Sequence, residues 1–368
     1  MRLDDGSYYF DCNATIPMKR KAVKAFLDGE KMAFANPSSP YFAGMKSKEV
    51  LESSRANILR KLRFEGELVF TSSATEANNL VILSAAKNEK IKKIIISKIE
   101  HPSVYELRQI VKSFGKEIIE IGVDKDGVVD LEQLENAISS QSFVSILTAH
   151  NETGVIQPVG EIARICERKM ALFHTDAVQG FGKIELPFGE TNPNAITISS
   201  HKIGGPKGVG ALAFDKKIEL IPMICGGGQE KGLRSSTESI PLIFSFSCAV
   251  DLIDTYRFSK LKEIRDEMED NLSQKFGLTI YGKNSERLPN TSFFSIRGLD
   301  GREAQRILNE NKIYVGTGSA CHGAGKNLPK VLTEMGFSNE EYPIRVSISS
   351  LTKKRDIEKF TDIFCSLF

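Results

Sequence analysis

The most informative stretch of the chain is ITISSHKIGGPKGVG, residues 196–210. A β-rich run ends there in Ser199, Ser200, His201 and Lys202, and a glycine-rich turn follows. A lysine at the mouth of a sheet offers an amine that can form a Schiff base with a carbonyl compound. Taken alone, Lys202 reads as a solvated loop lysine, since lysines are mostly exposed. The residue types elsewhere in the chain decide between the two readings.

A pyridoxal phosphate enzyme needs four groups: an amine, a carboxylate for the pyridinium nitrogen, a partner for the ring face, and an anion cradle for the phosphate. Asp176 closes a β-run in HTDAVQ, residues 174–179, and supplies the carboxylate. His101, in EHP at 100–102, stands after another β-run and is placed to stack or to move protons. Ser73-Ala74-Thr75-Glu76 follows a third run and opens a helix, as a phosphate cradle does. The same four residues have the spacing of a capping box.

The elements that must position these groups alternate. Residues 68–71, 93–97, 118–123, 144–148, 171–175, 195–199 and 209–214 read as strands, and 76–88, 104–114, 131–138 and 162–169 as helices. Nearly continuous apolar strands between helices predict an α/β fold with a mostly parallel, doubly wound sheet. Ligands on such sheets bind beyond the carboxyl ends of the strands. After about residue 250 the pattern changes to a charged helix at 260–276, short strands at 279–281, 291–296 and 344–349, and helices at 303–309 and 356–364, which predict a smaller α+β domain.

Composition narrows the class. The 368 residues are 41% hydrophobic and 26% charged, ordinary for a globular chain, and the net charge of +2 advertises no nucleic-acid surface. The apolar stretch 240–250 contains Pro241 and is too short to span a bilayer. No secretory h-region follows Met1. The six cysteines (Cys12, Cys166, Cys225, Cys248, Cys321 and Cys365) form neither a disulfide framework nor a metal-ligand cluster, so a cytoplasmic setting and no metal are expected. Cys166, Cys248 and Cys365 lie in apolar helical patterns and read as structural. No GxGxxG follows the first strand with an acidic residue about 20 positions on, which weakens a nucleotide-dependent oxidoreductase.

Over nearly its whole length the chain resembles the cysteine desulfurases of the class V aminotransferase group. The matching segments are DCNAT 11–15, NPSS 36–39, FTSSATEANN 70–79, EHP 100–102, NETG 151–154, HTDAVQ 174–179, SHK 200–202, GGGQE 226–230 and GSAC 318–321. The resemblance implies a fold-type-I pyridoxal 5′-phosphate enzyme. Its large domain would be 16–250, and its small domain 1–15 plus 251–368 would carry the catalytic cysteine loop. It implies Lys202 as the cofactor lysine, Asp176 as the pyridinium partner and His101 on the ring. Ala74, Thr75, Ser199, Ser200 and His201 would hold the phosphate, joined by Thr237 from a second subunit of a homodimer. Asn151 and Gln179 would bond the cofactor's phenolic oxygen, and Arg345, with Asn151, would bind the substrate carboxylate. Cys321 would attack the sulfur of L-cysteine, release L-alanine and pass a persulfide to an acceptor protein. Iron–sulfur assembly, tRNA thiolation and DNA phosphorothioation are the implied destinations, with no membrane and no direct nucleic-acid contact.

Intact Lys202, Asp176, His101, Cys321 and Arg345 argue against a non-catalytic scaffold. A selenocysteine lyase would share Lys202 and Asp176 and depend less on Cys321. The chain departs from the family pattern at Ile16, Tyr41, Ser236 and His322, where threonine, histidine, glycine and a small hydroxyl residue are usual. His322 reads first as a solvent-facing loop histidine; as an imidazolium it would lower the thiol pKa of Cys321.

Overall fold

The computed structural model describes residues 1–188, 191–318, 328–338 and 341–368; Cys321 and His322 lie outside them. Its strands are β1 (Tyr8–Phe10), β2 (Glu67–Thr71), β3 (Lys93–Ser97), β4 (Glu117–Ile121), β5 (Ser142–Ser145), β6 (Leu172–Asp176), β7 (Ala195–Ser199), β8 (Gly210–Phe214), β9 (Leu278–Ile280), β10 (Thr291–Ile296), β11 (Ile313–Thr317) and β12 (Ile344–Ser347). Among the described residues they form two sheets, β2-β8-β7-β6-β5-β3-β4 and β1-β11-β12-β10-β9.

The larger sheet is parallel from β7 to β4, and β8 runs antiparallel to both its neighbours. Its strands are apolar on both faces because both faces are covered. Ile95 and Val144 enter one core, while Ile94, Ile96 and Phe143 enter the other. Thr71, Gly210 and Ser199 stand side by side across three strands, so β2 and β7 finish at the same edge. Asp176 and Ser97 close β6 and β3 at that edge. The polar residues expected after strands are thereby gathered in one row.

The smaller sheet takes its first strand from the start of the chain, with Tyr8 against Ile313 and Phe10 against Val315. In β12, Ile344 and Val346 enter the core of this unit, and the two-residue period turns Arg345 and Ser347 to the opposite face. Helices α1 (Arg20–Met32) and α2 (Phe42–Leu62) pack on the helix Ile240–Asp251. The approach is close at Gly29, where a Cβ would lie 3.1 Å from Pro241 Cα. No described helix is long and apolar enough to cross a membrane.

Ser236, which stands where the family carries glycine, has φ = +142°, a conformation that an L side chain enters only under strain. Relief of about 1–3 kcal/mol of strain outweighs the extra freedom that glycine gives the unfolded chain, about 0.4–1 kcal/mol. We expect Ser236→Gly to stabilise the protein by about 1 kcal/mol and to raise the midpoint of thermal unfolding by about 2 °C, as read by calorimetry.

Candidate active site

Between the carboxyl edge of the large sheet and the small sheet lies a cavity of about 640 Å³. Its walls include Asp11, Asn13, Ala74, Thr75, Glu100, His101, Asn151, Asp176, Gln179, Ser199, His201, Lys202, Gly316, Lys330 and Arg345.

Lys202 is held by the loop that leaves β1: its Nζ donates to the carbonyls of Asn13 at 2.7 Å and Ala14 at 2.8 Å. Burial brings the amine down to about 8, and the Arg345 guanidinium pushes the same way, against the carboxylates of Asp176 and Asp11. A substantial neutral fraction near pH 8 is what a nucleophilic lysine needs.

Asp176 accepts from Asn78 Nδ2 at 2.7 Å and from the Val178 backbone N–H at 2.9 Å. The same Asn78 amide donates to Ser103 Oγ at 2.8 Å, and Ser103 in turn reaches His101 Nδ1. Because the Ser103 backbone N–H donates to Nδ1, the neutral imidazole carries its proton on Nε2. Burial holds His101 below the ordinary histidine range, with Asp176 opposing and Lys202 adding to the shift.

Helix α3 (Ala74–Lys87) begins at the cavity. Ser73 caps it by accepting from the Glu76 N–H at 3.2 Å, which is one half of a capping box; the Glu76 carboxylate reaches back one residue further, to the Ser72 N–H and hydroxyl, so the reciprocal half is not made to Ser73. Ala74 and Thr75, in the first turn, line the cavity at the positive end of the helix dipole. The approach depends on Gly210, where a Cβ would lie 2.6 Å from Ser73 C and 2.7 Å from Ala74 N.

Opposite stands Arg345. Its Nη2 pairs with Asp11 Oδ1 at 2.7 Å and its Nη1 donates to the Asn151 carbonyl at 3.1 Å, while Nε is buried without a partner among the described residues. Gly316 leaves room for the guanidinium, since a Cβ there would lie 2.9 Å from Nε. An orphaned guanidinium N–H beside an open cavity is suited to an anionic ligand.

Most of the residues singled out from the sequence therefore border one space. Two do not. Ser200 is fully buried, with its Oγ only 2.1 Å from where a Cβ of Gly205 would be: it opens the 3₁₀ turn Ser200–Lys202 that follows β7 and packs under Gly205, while His201 and Lys202 of the same turn border the cavity. Thr237 is exposed and outside the cavity of this chain. Cys321 falls outside the described residues.

Several residues in and around the site were not singled out from the sequence. Asn78 sits inside a quoted motif, but its contact with Asp176 depends on a fold-level approach of α3 to β6. Glu100 is buried, desolvation raises its carboxyl to about 8, and its Oε2 has no partner among the described residues. Asn13 and Lys183 form a polar hub beneath the cavity floor.

The model of the aminotransferase class-V family matches residues 8–360. The chain belongs to that family. Its members work with pyridoxal 5′-phosphate. Cysteine desulfurase IscS 1 of Archaeoglobus fulgidus is 35% identical over 364 residues, covering 96% of this chain and 95% of that protein. Among solved structures, the NifS-like protein of Rickettsia africae superposes with a TM-score of 0.88 at 35% identity, covering 98% of this chain and 99% of that one. SspA, solved in complex with cysteine, gives a TM-score of 0.81 at 29% identity, with 93% and 99% covered. Within the class-V family the chain groups with the cysteine desulfurases.

Proposed function

We propose that the protein is a pyridoxal-phosphate-dependent cysteine desulfurase that converts L-cysteine to L-alanine, takes the sulfur as a persulfide on Cys321 and delivers it to an acceptor protein. The observation that carries the reading is the convergence of Lys202, Asp176, His101 and Arg345 on a single cavity of about 640 Å³. Its size is right for a cofactor with a small amino acid.

The residues fit the cofactor. Lys202 would hold it covalently, Asp176 would keep its ring nitrogen protonated and the His101 ring would lie against its face. The first turn of α3, with Ser199 and His201, would cradle the phosphate. Burial, with Lys202 and Lys207 nearby, brings His201 down to about 4, so it acts there as a neutral donor. When bound, pyridoxal phosphate supplies an electron sink for bonds at the substrate Cα. Arg345 would leave Asp11 for the substrate carboxylate, a trade of one carboxylate for another that costs little electrostatically. Lys202 Nζ, neutral once displaced, would take the Cα proton. His101 Nε2 holds a second proton within the cavity. The Cys321 thiolate would form the S–S bond as the substrate C–S bond breaks, leaving alanine and a persulfide.

A homodimer is part of the proposal. Phe34, just past α1, and Phe42, at the start of α2, are 73% and 83% exposed, and Tyr41 and Met45, near Phe42 in the chain, are also open. So large an apolar surface at the ends of α1 and α2 is suited to a second copy, which would bring Thr237 to the phosphate.

The test is cysteine turnover by wild type and Cys321→Ala, reading alanine, sulfide and the visible spectrum. A yellow wild type that makes both products and a yellow variant that makes neither is the expected result. A wild type left colourless by added pyridoxal phosphate overturns the proposal. An active Cys321→Ala removes the nucleophile's role and favours a lyase.

A further inference from the structure

A buried lysine that the mechanism does not use lies one layer beneath the cavity. Lys183 and Gln179 are only 3% and 5% exposed and stand on the turn that follows β6. The turn doubles back through Gly182, at φ = +79°, where a Cβ would meet Ile203 Cγ2 at 2.7 Å. Lys183 Nζ donates to Asn13 Oδ1 at 2.8 Å and to Gln179 Oε1. Gln179 Nε2 donates to the Asn13 carbonyl at 3.0 Å, the same oxygen that accepts from Lys202.

Lys183 Nζ spends its N–H groups on the Asn13 and Gln179 oxygens, whereas an amide presents an acceptor at one end and a donor at the other. Rotating the Gln179 amide by half a turn would set its NH₂ against Lys183 Nζ and its oxygen against the Asn13 carbonyl, losing both hydrogen bonds. Asn13 cannot yield by turning over as well. Its Oδ1 accepts from Lys183 and from Asn290 Nδ2 at 3.0 Å, while its Nδ2 donates to the Asn151 carbonyl at 3.0 Å and Thr291 Oγ1 at 2.9 Å. The lysine is costly to keep there: burial pulls its pKa well below the ordinary value, and Lys202 and Arg345 add to this against the Cys12 thiol. The other acidic and basic side chains lining the cavity are Asp11, Glu100, Glu106, Glu152, Asp176 and Lys330, with the imidazoles of His101, His150 and His201.

We infer that Lys183 is a positioning residue that locks the amide of Gln179 with Nε2 toward the cavity, so that an N–H rather than a carbonyl oxygen meets the cofactor's ring oxygen. The inference rests on the reading given under Proposed function. An N–H donated to that oxygen steadies its negative charge and weakens its hold on the proton shared with the Lys202 nitrogen. Without the lock, the coloured holoenzyme retains that proton to higher pH.

The experiment reconstitutes wild type, Lys183→Met, Gln179→Leu and the double variant with pyridoxal phosphate and titrates the visible band. Lys183→Met is expected to move the midpoint up by about one pH unit, roughly tenfold in proton affinity, the size of one hydrogen bond to a charged group. Gln179→Leu should move it by a similar amount, and the double variant no further than Gln179→Leu alone. Lys183→Arg, which keeps a donor, should return the midpoint toward wild type. An unchanged midpoint in Lys183→Met overturns the inference, and so do shifts that simply add, which would reduce Lys183 to a distant charge. If Lys183→Met does not fold, neutron diffraction from wild-type holoenzyme crystals decides, and a Gln179 oxygen facing the cavity overturns the lock. A wild type that takes up no cofactor removes the proposed function itself.

Discussion

Lys202→Ala is expected to abolish cysteine turnover, by about 10³-fold or more, and to leave a protein that binds pyridoxal phosphate without the wild-type chromophore. Two losses combine: the covalent anchor disappears, and so does the base beside the substrate Cα. The setting of the amine gives the prediction a pH signature. With its pKa at about 8, Lys202 is unprotonated in roughly a quarter of molecules at pH 7.5, against about one in a thousand for an ordinary lysine. Reconstitution of the wild-type apoprotein should therefore accelerate as pH rises through 8 and level off about one unit above. The sign follows from burial, which disfavours the ammonium, so proton loss comes early. A variant that keeps more than a few per cent of turnover would take the lysine out of the chemistry.

Arg345→Ala is the second large effect. Truncating one partner of a buried, hydrogen-bonded charge pair costs about 2–5 kcal/mol, so kcat/KM for cysteine should fall by roughly 30- to 5,000-fold. The loss should be selective. Cysteamine has the thiol and the amine of cysteine but no carboxylate, and the wild type should reject it by a similar factor. In Arg345→Ala the two substrates should converge, because nothing remains for the carboxylate to engage. Arg345→Lys should rescue only part of the difference, since a single ammonium cannot reproduce the paired N–H geometry. An equal loss on both substrates would mean that Arg345 acts on the fold, through Asp11, and not on the carboxylate.

The large sheet was legible because its strands are apolar runs of five or so residues punctuated by polar ends. All seven expected runs became strands of one sheet. The register slipped at 144–148, where the strand is Ser142–Ser145, because Ile146 and Leu147 are as apolar as the strand itself but stand beyond the ladder. The helix expected at 104–114 is broken into Pro102–Tyr105 and Arg108–Ser113. The antiparallel direction of β8 left no mark, since a strand buried on both faces reads the same in either sense.

In the small sheet, β1 and β11 carried too weak a signal. β1 is three residues long, and its pairing partner lies at the other end of the chain. Among the site residues, those after strands could be found by position and type. Ser200 could not be separated from Ser199, because adjacent serines differ only in which way the backbone turns them. Lys183, between Gly182 and Ile184, looks like any surface lysine until the turn is seen to fold it inward.

The pairing of β1 with β11 also sets a clock on synthesis. The first strand leaves the ribosome about 300 residues before its partner, an interval of roughly 15–60 s at ordinary elongation rates. Until β11 arrives, the segment that follows β1 has no frame to hold it. The Asn13 and Ala14 carbonyls that restrain Lys202 belong to that segment. A nascent chain can thus complete its seven-stranded sheet and expose a reactive amine well before the chamber around it closes. Capture of the proposed cofactor would then wait on a strand made long after the sheet that receives it.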